Sequence, residues 1–392
     1  MSAIKYWVWL SSRAEVSALS KARLMQRYGD AETIYYLDRD ALRQIPGLTK
    51  AEAADLEKRD LSTADKILGE CERLGLQVVT WQDAAYSKRL KYISAPPAVL
   101  YVKGRLPVMD DEAAIAVIGT RKATPYGLKM ARDIAEEIVR CGGVVISGLT
   151  AGIDAMAAQG ALSAGGSIVG VLGTSHDAEK GNLAADVAAY GALVSEYPPG
   201  SPTYRYYFRE RNRVASGLSV GVVVVEAPER SGARLFANEA NEQGRVIFAV
   251  PGNADAPNSV GTLAMMQEGA KPVATGWDVL SEFEALYPGK LHREPVEKQL
   301  PEPVTTPASP KKDIDSGEAK GYIDLRQQLS GLTEDQLKII AAIDKSATHI
   351  DDIIEATGLG TAKVLAQLTV LEIKGFVRRE AGRRVTLNTA KK

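Results

Sequence analysis

The chain has two cysteines and three histidines in 392 residues, and each shortage excludes a class of chemistry. Cys71 and Cys141 form no CxxC pair and neither lies near a histidine, so no disulfide framework and no zinc spacing is present, and no metal is expected. His176, His292 and His349 are scattered, without HxxH or HExxH. A histidine acid–base step or a Ser–His pair in the middle of the chain would have His176 alone, and that residue reads as an exposed loop residue after a strand. No apolar run approaches the roughly 20 residues of a membrane span, and Met1 to Arg13 lacks the core and cleavage pattern of a signal peptide. A cytoplasmic chain without membrane association is expected. The net charge of −1 gives no overall positive field, so any contact with a polyanion has to come from local clusters. GxGxxG and GxxxxGK[ST] are both missing, which excludes the dinucleotide fingerprint and the P-loop, and no cofactor is expected.

What is present divides into segments. At 45% hydrophobic and 25% charged the composition is that of a soluble protein of two or three domains. Residues 1–75 alternate helical patterns with short breaks, a small helical domain. Its Ile45-Pro46-Gly47-Leu48 between two short helices fits an ordinary turn in a sterile-alpha-motif-like bundle used for packing or partner contact, or else a helix-hairpin-helix whose glycine turn faces a DNA phosphate. Val78 to Leu100, with Ala95-Pro96-Pro97-Ala98, reads as an extended connection. Within a domain spanning 76–289, β-like runs at Ile115–Ile118, Val144–Ser147, Ser167–Leu172, Ala192–Ser195, Gly221–Glu226, Val246–Val250 and Lys271–Ala274 are separated by helix-length segments. That alternation predicts an α/β fold, a Rossmann-like parallel sheet covered on both faces, with Val222–Val225 as a central strand. Residues 290–325, rich in Pro, Lys, Glu and Ser, read as a linker. In 326–392, helices at Leu332–Asp344, His349–Ala356 and Gly360–Lys374 precede a hairpin, Phe376–Arg379 and Arg384–Leu387 around Ala381-Gly382, the pattern of a C-terminal winged helix.

Three clusters could carry function. Gly119-Thr120-Arg121, before the helix opened by Thr124-Pro125-Tyr126-Gly127, offers a close backbone approach, a helix N-terminus and a guanidinium fork. It reads as an anion site or, more plainly, as a glycine turn with a surface arginine. Ser147-Gly148 with Gly152-Ile153-Asp154 forms a second polar turn that would face the same crevice, where ligands bind in open α/β sheets. Asp154 is either a helix cap or a catalytic carboxylate. The densest cluster is Tyr204 to Arg213, four arginines among four aromatics. Arginines neutralise phosphates while aromatic faces stack on unpaired bases, which is the requirement of single-stranded nucleic acid. The alternative is that these arginines pair with acidic side chains and the tyrosines pack; only Glu210 is near in sequence to offset them.

These motifs, together with Ser231-Gly232, Val250-Pro251-Gly252-Asn253 and Gly217-Leu218-Ser219, resemble the DNA-processing protein A family (DprA, also called Smf). The similarity spans roughly Tyr86 to Leu286, with the flanking domains alike in layout. The resemblance implies a dimer, formed through the Rossmann-like domain, that binds single-stranded DNA, protects incoming DNA in natural transformation and helps load RecA recombinase, without catalysis. Its binding residues would be Gly119, Thr120, Arg121, Ser147, Gly148, Phe208, Arg209, Arg211, Asn212, Arg213, Ser231 and Gly232. The chain departs from the family at Thr150-Ala151, at Ala158, in a short loop after Gly173, at Ala233–Ala237 and at Met265-Met266, as a divergent member would.

Other functions have to be weighed beside this one. A phosphoribohydrolase-like nucleotide enzyme on a similar fold would carry PGGxGT, and no PGG occurs. A related protein acting in phage defence would use the same DNA chemistry. A regulator reading duplex DNA would rely on the basic wing, Arg378, Arg379, Arg383 and Arg384, although winged domains also serve as protein contacts.

Overall fold

A computed structural model describes residues 3–296, 334–343, 348–373, 377–380 and 384–387. The chain forms two units, Met1–Pro307 and Ala308–Lys392.

The first unit begins with six helices: α1 (Ile4–Ser11), α2 (Ala18–Tyr28), α3 (Ala31–Tyr36), α4 (Arg39–Arg43), α5 (Lys50–Leu56) and α6 (Ser62–Leu74). Five consecutive residues of α1, Tyr6 to Leu10, are buried, so this helix is apolar all round and lies in the middle of the bundle. Glu52 ties two helix starts together. Its carboxylate accepts the N–H of Thr49 (2.8 Å), closing a capping box on α5, and the N–H and hydroxyl of Ser17, the α2 cap (3.1 and 2.8 Å). Burial alone would raise the Glu52 pKa, but hydrogen bonds from Ser20, Thr49 and Ser17 outweigh it and hold the group at about 2. The donors beside the Pro46-Gly47 hairpin thus already face a protein carboxylate, which favours the packing role over a phosphate contact.

A nine-stranded sheet follows, formed by β1 (Gln77–Thr80), β2 (Val99–Gly104), β3 (Ala114–Ile118), β4 (Val144–Ser147), β5 (Ile168–Leu172), β6 (Ala192–Ser195), β7 (Gly221–Val224), β8 (Val246–Ala249) and β9 (Lys271–Pro272), in the order β1-β2-β6-β5-β4-β3-β7-β8-β9. The parallel strands β3 to β9 fall where the apolar runs predicted them. The connection expected over 78–100 is instead an antiparallel hairpin edge: β1 pairs with β2 from Gln77↔Val102 to Thr80↔Val99, and β2 pairs with β6. Its strand character is hidden because Val99-Leu100-Tyr101-Val102 is apolar throughout. Val99 and Tyr101 pack into the helical bundle, while Leu100 and Val102 pack into the α/β core. The alternation is present in space but not in polarity.

Helices α7 (Lys88–Lys91), α8 (Pro125–Arg140), α9 (Ile153–Ser163), α10 (Asn182–Tyr190), α11 (Tyr207–Leu218), α12 (Gly232–Glu242), α13 (Val260–Gln267) and α14 (Gly276–Leu280) complete the unit. One core joins α8, α9, α10 and α14 to Val223 and Val225; the other joins α11, α12 and α13 to Val222 and Val224. The Val222–Val225 run is therefore buried on both faces. The expected linker begins later than residue 290, because Leu291 is buried and the N–H groups of His292 and Val296 donate to the carbonyls of Cys141 and Arg140 (3.1 Å each). Residues 297–325 lie outside the described residues.

In the second unit, α15 (Glu334–Ala341), β10 (Thr348–His349), α16 (Ile350–Thr357), α17 (Thr361–Ile373), β11 (Val377–Glu380) and β12 (Arg384–Leu387) enclose Ile339, Ile353, Val364, Leu368 and Val385. The sheet order is β10-β12-β11; His349 ends β10, and the helix expected over His349–Ala356 is present one residue later as α16. Lys363 of α17 pairs with Asp335 (2.7 Å). The tip Ala381-Gly382 and Arg383 lie outside the described residues.

One expected binding residue belongs to this scaffold. Arg213 is only 7% exposed. Its guanidinium forms an ion pair with Glu196 and donates to the carbonyl of Ala95. α11 starts at the surface and runs into the core, so its later arginine meets protein. The acidic partner comes from the loop after β6, out of sight of any local charge count.

Two outcomes follow. Arg213→Ala should lower stability by about 3 kcal/mol by orphaning Glu196, visible as a lower denaturation midpoint; an unchanged midpoint would refute the structural role. Because the Glu52 pKa is depressed, its contribution is fully present above the unfolded value of about 4.3 and disappears as pH falls toward 2. Glu52→Gln should flatten the wild-type loss of stability across that window in acid titrations followed by circular dichroism.

Candidate nucleic-acid interface

In the sheet order β3 has β4 on one side and β7 on the other, so the chain reverses direction there and the carboxyl ends of these strands border a crevice. Its volume is about 490 Å³, and its walls include the turns after β3 and β7 and the starts of α11 and α12.

The backbone of the first turn is not what makes this crevice attractive to an anion. The start of α8 already holds the Glu226 carboxylate, which accepts the Thr124 N–H (2.9 Å), the Thr124 hydroxyl and the Asn258 amide (3.1 Å). A Cβ on Gly127 would lie 2.3 Å from the Glu226 Cδ, so glycine is what admits the carboxylate. The Gly119 N–H donates to Asp154 Oδ1 (3.3 Å) and the Thr120 N–H to the Glu226 carbonyl (2.8 Å). A protein carboxylate thus fills the helix terminus at which sequence reading places a phosphate. Positive charge comes from side chains instead.

The second turn is built to hold one of them. The Ser147 hydroxyl donates to the Asp154 carbonyl (2.8 Å) and accepts the Leu149 N–H (3.1 Å), and the Thr150 hydroxyl donates to Asp154 Oδ2 (2.9 Å). Asp154 links the two turns, and its burial pushes the carboxyl pKa up against the opposing pull of Arg211. Over this turn lies the Arg211 guanidinium. A Cβ on Gly148 would fall 1.7 Å from Arg211 Nη1, so glycine leaves the room that the guanidinium occupies. Arg211 is 5% exposed, and among the described residues it makes no hydrogen bond or ion pair. Its Nε is fully enclosed without a partner. Burial draws its pKa down, with Asp154 opposing and Arg121 adding to the depression.

The rim adds Arg121, Arg205, Arg209 and Arg230, so five arginines face one carboxylate, Asp154, among the lining residues. Arg121 lies over the Phe208 ring, 5.9 Å from its centroid. Ser231 and Gly232 begin α12; the Ser231 hydroxyl is enclosed and unpartnered and makes no capping bond. The free N–H groups of that first turn border the crevice.

Of the residues singled out from sequence, Gly119, Thr120, Arg121, Phe208, Arg209, Arg211, Asn212, Ser231 and Gly232 line the crevice. Ser147 and Gly148 lie beneath it, one bonding α9 and the other making room for Arg211. Arg213 points into the scaffold. Arg230 was missed, although it directly precedes Ser231-Gly232. His176 is not an exposed loop residue: its Nε2 bonds the Tyr101 carbonyl (2.8 Å), its Nδ1 is enclosed, and burial lowers its pKa.

Comparison with known proteins identifies the family. Residues 77–284 match the model of the family described as DNA recombination-mediator protein A, and residues 324–383 match that of the DprA winged helix domain. The chain is 32% identical over 389 residues to protein Smf of Synechocystis, covering 97% of each. It is 37% identical over 222 residues to the DNA processing protein DprA of Bacillus subtilis, covering 56% of this chain and 75% of that one. The solved DNA processing protein A of Streptococcus pneumoniae superposes with a TM-score of 0.61 at 28% identity, over 72% of this chain and 99% of that one. With a family model spanning more than half its length and a relative aligned end to end, the chain belongs to the DNA recombination-mediator protein A family, DprA/Smf.

Proposed function

We propose that this protein holds single-stranded DNA by its phosphates in the crevice between β3 and β7, as a binder and not a catalyst. In this reading it works in the cytoplasm as a homodimer formed through the α/β domain, protects incoming DNA and helps load RecA recombinase during transformation. The observation that carries the reading is Arg211, a buried guanidinium without a hydrogen-bonded partner among the described residues, beside four further arginines. A buried cation is stable only with a counterion or hydrogen-bonded partner, and a phosphodiester supplies both. Asp154 has its oxygens engaged by Gly119 and Thr150, which suits a positioning role better than proton transfer.

Labelled oligo-dT should bind more tightly than a matched duplex, with affinity falling steeply as salt rises; equal or tighter duplex binding would refute the reading. Arg121→Ala should weaken binding and lower the salt slope by about one phosphate contact, with no change in sequence preference.

Arg211→Met should separate stability from function. Replacing a buried charge that has no bonded partner by an apolar side chain should leave the free protein as stable as wild type or more so, while oligo-dT affinity drops. A folded variant with wild-type affinity and salt dependence would remove Arg211 from the site. A chain ending at Pro307 keeps the packed 290–296 segment and every crevice residue, so it should retain most of the affinity in the same titration; near-complete loss would transfer the principal site to the winged unit.

A further inference from the structure

Phosphate contacts alone do not distinguish a single strand from a duplex; accessible base faces do. Of the two aromatic residues lining the crevice, Phe236 is buried and Phe208 has its ring covered by Arg121 at 5.9 Å and rests against Gly173, where a Cβ would lie 2.9 Å from its Cδ1. The open aromatic surface is elsewhere. Tyr204 and Tyr206 are 45% and 54% exposed. They stack on each other, with ring centroids 5.4 Å apart and planes 15° from parallel. Tyr206 meets Tyr207 edge-on at 4.8 Å, and Tyr207 stacks on Tyr197 at 3.8 Å and 16°. The Tyr197 hydroxyl bonds Glu210 of α11 (3.4 Å). The exposed pair is thereby anchored through two inner rings to the body of the protein, so its faces are held without loss of much further side-chain freedom.

The position of the pair identifies its occupant. Arg205, between the two tyrosines in sequence, lines the crevice, as does Arg209 one turn along. An aromatic face flanked by guanidinium groups and continuous with an arginine-lined groove fits a polyanion that carries flat rings. We propose that Tyr204 and Tyr206 form a base-stacking step at the mouth of the crevice, receiving a base of the strand next to the phosphates that the arginines hold. This inference rests on the proposed binding of single-stranded DNA, and it assigns the preference for unpaired bases to these tyrosines instead of to Phe208. Paired bases in a duplex present only their edges in the grooves and cannot stack there.

The test uses the full chain, the Tyr204→Ala/Tyr206→Ala double variant and the Tyr204→Phe/Tyr206→Phe double variant. Each is titrated with oligo-dT of about sixteen nucleotides and with an abasic deoxyribose-phosphate strand of the same length. The alanine variant should lose about five- to a hundred-fold in affinity for oligo-dT, with the salt slope unchanged because no counterion is involved. The phenylalanine variant should keep wild-type affinity. On the abasic strand the three proteins should bind alike, which a merely structural or electrostatic role would not produce. An alanine variant that binds oligo-dT as wild type does, or loses equally on both strands, overturns the stacking step while leaving the arginine crevice intact. Wild-type protein that binds neither strand would overturn the parent reading as well.

Discussion

Enclosing a guanidinium in protein without a bonded partner is the constraint around which the central domain is arranged. Arg211 can lie where it does only because position 148 has no side chain, because Ser147 pins the start of α9, and because Asp154 supplies a partly compensating charge from below. Ser147, Gly148 and Asp154 all belong to the β4–α9 turn, whereas Arg211 comes from α11, so the crevice depends on the sheet bringing two distant segments together beside the switch in strand order. The arrangement stores a deficit in the free protein that an anionic ligand relieves.

The protein's own carboxylates shape what the crevice can accept. Glu226 fills the start of α8, and Asp154 takes the Gly119 N–H, so the βα turn that would cradle a nucleotide pyrophosphate is closed. What remains is a set of long cationic side chains from several elements, together with the start of α12. Such side chains adapt to a chain of evenly spaced phosphates better than a rigid backbone nest does. The same substitution explains why neither a dinucleotide fingerprint nor a P-loop is needed for an anion-binding α/β domain.

Much of this was legible in sequence because the parallel strands are β-branched runs broken by glycine turns, and the three motifs that border the crevice are local. The hairpin edge β1–β2 was not legible, since a strand buried on both sides by two different cores shows no alternation of polarity. Arg213 was misread for a related reason. Its place in a run of arginines is a local fact, whereas its partner Glu196 and the Ala95 carbonyl reach it only through the fold. Glu226 could not be identified as the occupant of the α8 terminus either, because residue 226 meets residue 124 only across the switch point. Local patterns revealed which residues could serve the site; distant ones decided which of them are free to do so.

The charge balance of the whole chain bears on how such a site is used. Five arginines gather at the crevice against a single carboxylate, while the chain as a whole carries a net charge of −1, so everything outside the crevice is net negative. Under the proposed binding, a nucleic acid would find this arginine cluster in a chain that has no overall positive field to draw it elsewhere. The tyrosines 204 and 206 stand beside the crevice. In the proposed reading a strand would enter there with its phosphates toward the arginines and its bases toward the aromatic faces. A protein without basic overall character would then select a polyanion by where its charge is placed, and the sheet's reversal at β3 and β7 determines that placement.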